Sequence, residues 1–90
     1  MSLARFDELI HPSTRLTIVA LLAAADWVEF AFVRDELGMS DSALSKQLAT
    51  LEEAGYVQLE RRKRLRAQLT PAGRDAFEGH VAALREIVGA

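Results

Sequence analysis

The feature that most constrains this chain is a change of hydrophobic period at Tyr56. Before it, apolar residues recur at helical spacing. After it, Val57 and Leu59 alternate with Gln58 and Glu60, and Leu65, Ala67 and Leu69 alternate with Arg66 and Gln68. Two alternating runs joined by a polar, basic segment predict an antiparallel hairpin with its tip near residues 61–64. Helical spacing resumes at Thr70-Pro71, where threonine suits a cap and proline the first helical position.

Upstream of the hairpin the pattern is helical. Leu3, Phe6, Leu9 and Ile10 predict a short amphipathic helix that His11-Pro12 ends, with Pro12 opening the next one. From Leu16 to Ala25 apolar residues cover nearly the whole circumference, as in a central helix buried on several sides. Asp26-Trp27-Val28 breaks that pattern and leaves room for a very short strand. Phe30, Val33 and Leu37 mark a short helix, Gly38 suits the left-handed position past its end, and Ser40 suits the cap of the helix that follows. Leu44, Leu48 and Leu51 form the inward stripe of that helix, which Gly55 closes. Two short helices joined by Gly38-Met39-Ser40 and followed at once by a hairpin describe a winged helix-turn-helix. The expected fold is therefore mostly α with a small β-hairpin. One domain is expected over residues 1–90, with the helix-turn-helix at about 30–55, the wing at about 56–69 and a last helix at about 71–88.

With 90 residues the core is thin, and domains of this size often lean on disulfides, metals or self-association. The chain has no cysteine, so disulfides and thiolate metal sites are excluded and self-association is the expected supplement. No cofactor is implied. A reducing, cytoplasmic setting is compatible with this composition. No stretch reaches the ~20 apolar residues of a membrane span, and no signal-peptide pattern opens the chain. The last helix carries two adjoining apolar stripes, Phe77, Val81, Leu84 and Val88 beside Ala76, His80, Ala83 and Ile87. Together they are wider than a small domain is expected to cover. The N- and C-terminal helices are thus the expected dimerisation helices, with Leu3, Phe6, Leu9, Ile10, Phe77, His80, Val81, Leu84, Ile87 and Val88 at the seam of a homodimer.

Charge is distributed unevenly. The net charge is −2, yet Arg61, Arg62, Lys63, Arg64 and Arg66 place five of the 11 basic residues within six positions. A localised basic feature on an acidic body is the expected footprint of a phosphate-contacting element, and a solvated charged turn is the plainer alternative. With Leu44 at the centre of the buried face, a step of about 100° per residue points Ser42, Lys46 and Ala49 outward, with Ser45 and Thr50 flanking. Small residues let a backbone approach a groove floor, while serine, threonine and lysine reach phosphates or bases. Gln47 lies at the flank and could read adenine.

Asp41 to Val57, DSALSKQLATLEEAGYV, resembles the recognition helix and first wing strand of MarR-like and ArsR-like regulators. His11-Pro12-Ser13-Thr14-Arg15-Leu16 resembles the start of their central helix, and Leu69 to Phe77, LTPAGRDAF, is similar to the strand-to-helix junction of small MarR-like proteins. The resemblance spans roughly Phe6 to Val88. It implies a dimeric winged-helix fold that binds double-stranded DNA and regulates transcription, with Ser42, Ala43, Ser45, Lys46, Gln47 and Thr50 facing DNA. Ser40 and the wing residues Arg61, Arg62, Lys63, Arg64 and Arg66 complete the expected contact set. The wing is short and has no glycine, which leaves open whether its tip touches phosphates alone or enters the minor groove. ArsR-type metal sites need cysteine or clustered histidine and carboxylate. Here only His11 and His80 are present, far apart in sequence, so no metal site is expected.

Several residues carry a plainer reading beside the functional one. His80 is read as a packed interface histidine in preference to a ligand or pH sensor. His11 is read as a helix-boundary residue, and Trp27 as a core or interface aromatic in preference to a pocket wall. Phe32 falls opposite the Phe30/Val33/Leu37 stripe and is expected to be exposed, either as an isolated aromatic or as a partner contact. No site for a small-molecule effector is evident. No catalytic triad, phosphate loop or paired carboxylates stand out, so an enzyme is not expected. The competing function is a winged-helix protein-interaction module that does not bind DNA.

Overall fold

The computed structural model of the chain describes residues 5–89. In chain order the elements are α1 (Ser13–Ala23), β1 (Val28–Glu29), α2 (Phe30–Leu37), α3 (Asp41–Glu53), β2 (Val57–Arg61), β3 (Leu65–Leu69) and α4 (Pro71–Gly89). The strands form one antiparallel sheet in the order β1-β3-β2. The hairpin predicted from the period of two is β2–β3, with Val57 opposite Leu69 and Arg61 opposite Leu65. Its tip is Arg62-Lys63-Arg64. The short strand allowed for near Val28 is β1, which pairs with the far edge of β3 through Val28 and Ala67.

The core gathers one stripe from each element. Ile18, Val19 and Leu22 of α1, Val33 of α2 and Leu44, Leu48 and Leu51 of α3 meet Val28, Val57, Ala67 and Leu69 of the sheet. Ile10 joins them from the N-terminal segment. Removing each of the large side chains from water contributes about 1.5–3 kcal/mol. The central helix is less enclosed than its composition predicts. It ends at Ala23, with Ala24 as its C-cap, and Ala20, Ala24 and Ala25 are exposed. Pro12 is the N-cap of α1 and not its first helical residue.

The N-terminal segment departs from expectation. Leu3 lies outside the described residues, and Phe6 to Ile10 form no α-helix but end in a turn over 8–10. The physical reason is Asp7. Its Oδ1 accepts the Leu9 N–H at 2.9 Å, a local bond that competes with the helix ladder, and its own N–H donates to His80 Nδ1 at 2.8 Å. Its Oδ2 accepts the Tyr56 hydroxyl at 2.6 Å, which pushes the Tyr56 pKa up to about 12, with burial adding to the effect. Arg5 pairs with Asp75 at 3.0 Å. The segment is therefore a strap tied across α4 and the base of the wing.

Two backbone contacts fix the corner between wing and last helix. Thr70 caps α4 as predicted, its hydroxyl accepting from Gly73 N–H at 2.9 Å and donating to the Gly55 carbonyl at 2.6 Å. Gly73 packs directly on the Tyr56 carbonyl, leaving no space for a Cβ. Gly73→Ala should therefore cost ~1–3 kcal/mol by overpacking, read as a lower midpoint in urea unfolding. A midpoint equal to the parent's would show that the corner yields freely.

His80 supplies a second prediction. It is fully buried between Phe6 and His11, with ring centroids 4.7 and 5.5 Å away. Its Nδ1 accepts, so the neutral ring carries its proton on Nε2, a buried atom with no hydrogen-bond partner among the described residues. Desolvation first, and the neighbouring His11 second, hold its pKa below the ordinary 6.5. The unfolded chain therefore takes up a proton that the folded chain refuses. Stability is full above pH 6.5 and should fall as pH drops through that value. His80→Asn keeps an acceptor near Nδ1 but cannot titrate, so the unfolding free energy of this variant should lose part of its dependence between pH 7 and 5. An identical pH profile for both proteins would contradict the assignment.

Candidate nucleic-acid interface

The turn between α2 and α3 is built as the sequence predicts. Gly38 adopts φ 62°, the left-handed conformation that glycine takes without strain, and its N–H closes α2. Ser40 Oγ accepts the Ala43 N–H at 3.1 Å and so caps α3. Ser40 therefore serves the helix end, with its hydroxyl already engaged. Arg34 of α2 bonds Asp35 and Asp41, each at 2.9 Å, which drives its guanidinium pKa further above the ordinary range, through the Asp35 bond first. The Asp41 contact joins the two helices at their turn.

With Leu44, Leu48 and Leu51 buried, α3 presents Ser42, Ala43, Ser45, Lys46 and Ala49 to solvent. That is the outward face expected from the spacing. Two of its flanking residues, Thr50 and Gln47, are partly tied up. Thr50 is half-buried and its hydroxyl donates to the Lys46 carbonyl at 3.1 Å. Gln47 is half-buried too, and its Oε1 accepts from Arg15 Nη1 at 3.1 Å, while Arg15 Nε donates to the Leu9 carbonyl. Arg15 therefore orients Gln47 toward α1 and leaves the Gln47 amide N–H₂ as its free end.

The wing is less basic than its composition. Arg66 is half-buried, its guanidinium 4.4 Å from the Trp27 ring centroid, with Nε and Nη2 on Glu60 Oε1 at 2.8 and 2.7 Å. Stacking and the ion pair thus engage the Arg66 guanidinium within the wing. Arg62 pairs with the same Glu60 oxygen at 3.3 Å, and Arg64 pairs with Glu29 of β1 at 3.3 Å. Arg61 and Lys63 are exposed with no ion pair among the described residues. Sequence reading missed Glu60 and Glu29. The first was legible in principle, since a hairpin centred on Lys63 places residue 60 opposite 66.

The helix face and the wing belong to one surface. Ser45, Ala49 and Glu52 of α3, Leu59 and Arg61 of β2, and Phe30 and Leu65 line a single cleft. On another side, Leu21, Ala24, Ala25, Trp27, Val28, Glu29 and Phe32 border a mostly apolar groove of about 410 Å³. Phe32 is 50% exposed there, as expected from its position opposite the α2 stripe. No group of three or more metal-ligating side chains occurs among the described residues, and no described helix is long and apolar enough to cross a membrane.

The residues assigned to a dimer seam divide. Ile10 and His80 are fully buried within their own chain, covered by the N-terminal strap and the core. Phe6 packs on His11 and His80, and Leu9 and Phe77 pack on the core. Val81 and Leu84 are half-buried. Ile87 and Val88, 48% and 85% exposed, leave apolar surface at the end of α4.

A helix-turn-helix with one free helix face, followed by a basic hairpin that shares its cleft, defines a winged helix-turn-helix. Residues 14–88 match the family of the winged helix DNA-binding domain, and the chain belongs to that family. It is 28% identical over 79 residues to the uncharacterized protein MJ0432 of Methanocaldococcus jannaschii, covering 82% of this chain and 86% of that protein. The transcriptional repressor BigR from Xylella fastidiosa superposes with a TM-score of 0.75 at 28% identity, over 98% of this chain and 87% of that one. A transcriptional regulator homologue from Pyrococcus horikoshii OT3 superposes with a TM-score of 0.89 at 17% identity, over 92% and 87% of the two chains. The resemblance to small MarR-like regulators read from the sequence thus holds in the fold, which is shared with a transcriptional repressor and a transcriptional regulator homologue.

The cap at Ser40 gives a prediction. Ser40→Ala leaves the Ala43 N–H without its partner and should lower stability by ~1 kcal/mol, measured by chemical denaturation. No loss would mean that solvent replaces the hydroxyl without cost.

Proposed function

We propose that this chain is a sequence-specific, double-stranded DNA-binding transcriptional regulator that acts as a cytoplasmic homodimer. The observation that carries the reading is the shared cleft of α3 and the wing, with Ser45 and Ala49 beside Arg61. In this reading α3 enters the major groove. Ser42, Ala43, Ser45 and Ala49 let the backbone approach the base edges, and Lys46 contacts phosphate or guanine. The wing follows the phosphate backbone through Arg61 and Lys63, with Arg62 and Arg64 behind them. Ile87 and Val88 supply apolar surface for a two-fold seam, together with the half-buried Val81 and Leu84. A two-fold pair would present its α3 helices to half-sites about 34 Å apart.

The competing reading, a protein-interaction module, draws on the carboxylates that cover much of the wing. Salt dependence separates the two. Fluorescence-anisotropy titration of a random duplex should show affinity falling steeply with salt. Lys46→Ala should weaken binding to all sequences and flatten the slope by about 0.9. Absence of duplex binding at low salt would favour the interaction module.

Sedimentation equilibrium at micromolar concentration should give twice the chain mass. Leu84→Glu should give a monomer with sharply lower affinity for a two-half-site operator, because the seam would then bury a charge. A monomeric wild type that still binds such an operator would overturn the dimer.

A further inference from the structure

We infer that Glu60 and Glu29 set the wing's affinity by holding its arginines back from nucleic acid. The inference rests on the DNA-binding reading and concerns how tightly any duplex is held, whatever its sequence.

The tip carries Arg61, Arg62, Lys63 and Arg64, with Arg66 two residues on. Two carboxylates sit among them. Glu60 is directly across the ladder from Arg66, and its Oε1 takes both Arg66 and Arg62. Its side chain is three-quarters covered, so its charge is fixed in position. Glu29 approaches from β1, the strand on the far side of β3, and both of its oxygens accept from Arg64 Nη1, at 3.3 and 3.5 Å. A carboxylate pairing a guanidinium occupies the geometry that a phosphate would use. Of the five cations, only Arg61 and Lys63 meet a backbone phosphate without first exchanging a partner.

Each pair at the surface is weak on its own, so exchange is easy. The charge of the carboxylate does not leave with the exchange. Once Arg62 or Arg64 turns to a phosphate, Glu60 or Glu29 stays beside the backbone as a like charge. Non-specific affinity, which is almost entirely counterion release, falls with this arrangement. The two carboxylates therefore lower the affinity of the wing for any duplex, whatever its sequence.

Glu60→Gln and Glu29→Gln test this, each retaining a hydrogen-bond acceptor. Glu78→Gln removes the same charge from the exposed face of α4 and reports the effect of net charge alone. Affinity for a random 20-base-pair duplex is measured against salt for all four proteins. The wing variants should bind about two- to tenfold more tightly at low salt, with a slope steeper by up to about 0.9 for each arginine released. Glu78→Gln should behave as the wild type. Duplex binding by the wild type with unchanged slopes in both wing variants would overturn the inference and leave the DNA-binding reading standing. An equal gain in Glu78→Gln would also overturn it, by tracing the effect to net charge. No duplex binding by any of the four would overturn the DNA-binding reading itself, and this inference with it.

Discussion

Leu44, Leu48 and Leu51 lie fully buried against Ile18, Leu22 and Val57, and their burial fixes the rotation of α3 about its axis. The other functional geometry depends on that rotation. Turning the helix by one residue, about 100°, would drive Ser45 into the core and expose Leu44. Three buried leucines at ~1.5–3 kcal/mol each forbid it. The Ser40 cap and the Arg34–Asp41 pair fix where the helix begins, so its rotation and its register are set by different means. What remains outward from Ser42 to Ala49 is a face of small and hydroxyl side chains with one lysine, between the exposed carboxylates of Asp41 and of Glu52 and Glu53.

The wing is held against that face by its other end. Val57 and Leu69 anchor its base in the core, and the Tyr56 carbonyl presses on Gly73 while accepting the Thr70 N–H at 3.0 Å. Tyr56 in turn holds Asp7, which reaches His80 of α4. The wing, the last helix and the N-terminal strap therefore share one polar cluster, built around an aromatic hydroxyl, a carboxylate and a neutral histidine. Above the cluster α4 continues with exposed Ile87 and Val88. The surface proposed for DNA and the surface proposed for a second copy are thus supported by the same core from different sides.

Much of this was legible in the sequence because short-range rules decide it. The period of two in 57–69 placed the hairpin, Gly38 and Ser40 marked the turn, and the leucine spacing selected the outward residues of α3. The N-terminal segment was misread as a helix because Leu3, Phe6, Leu9 and Ile10 fit its period. The pattern does not show that the Asp7 side chain and His80 take the backbone N–H groups a helix would use. The breadth of the apolar surface on α4 was read as a need for a second chain, whereas part of it is covered by that same N-terminal segment. The wing was read as a localised basic feature without its carboxylate partners, because composition counts charges and not partners. Cross-strand register supplies Glu60, and an unforeseen pairing of β1 with β3 supplies Glu29.

The electrostatics give the fold a division of labour. In the proposed reading an acidic body repels duplex DNA, a hairpin with few unpaired cations draws it weakly, and the fixed face of α3 is left to distinguish one site from another. That claim is tested most directly by titrating the isotope-labelled protein with a short duplex and following its backbone amide resonances. The account predicts that shifts concentrate on Ser42 to Ala49 and on Arg61 to Arg64, with α4 beyond Leu84 unmoved. Shifts confined to α4 and the Trp27/Phe32 groove, with α3 silent, would contradict it.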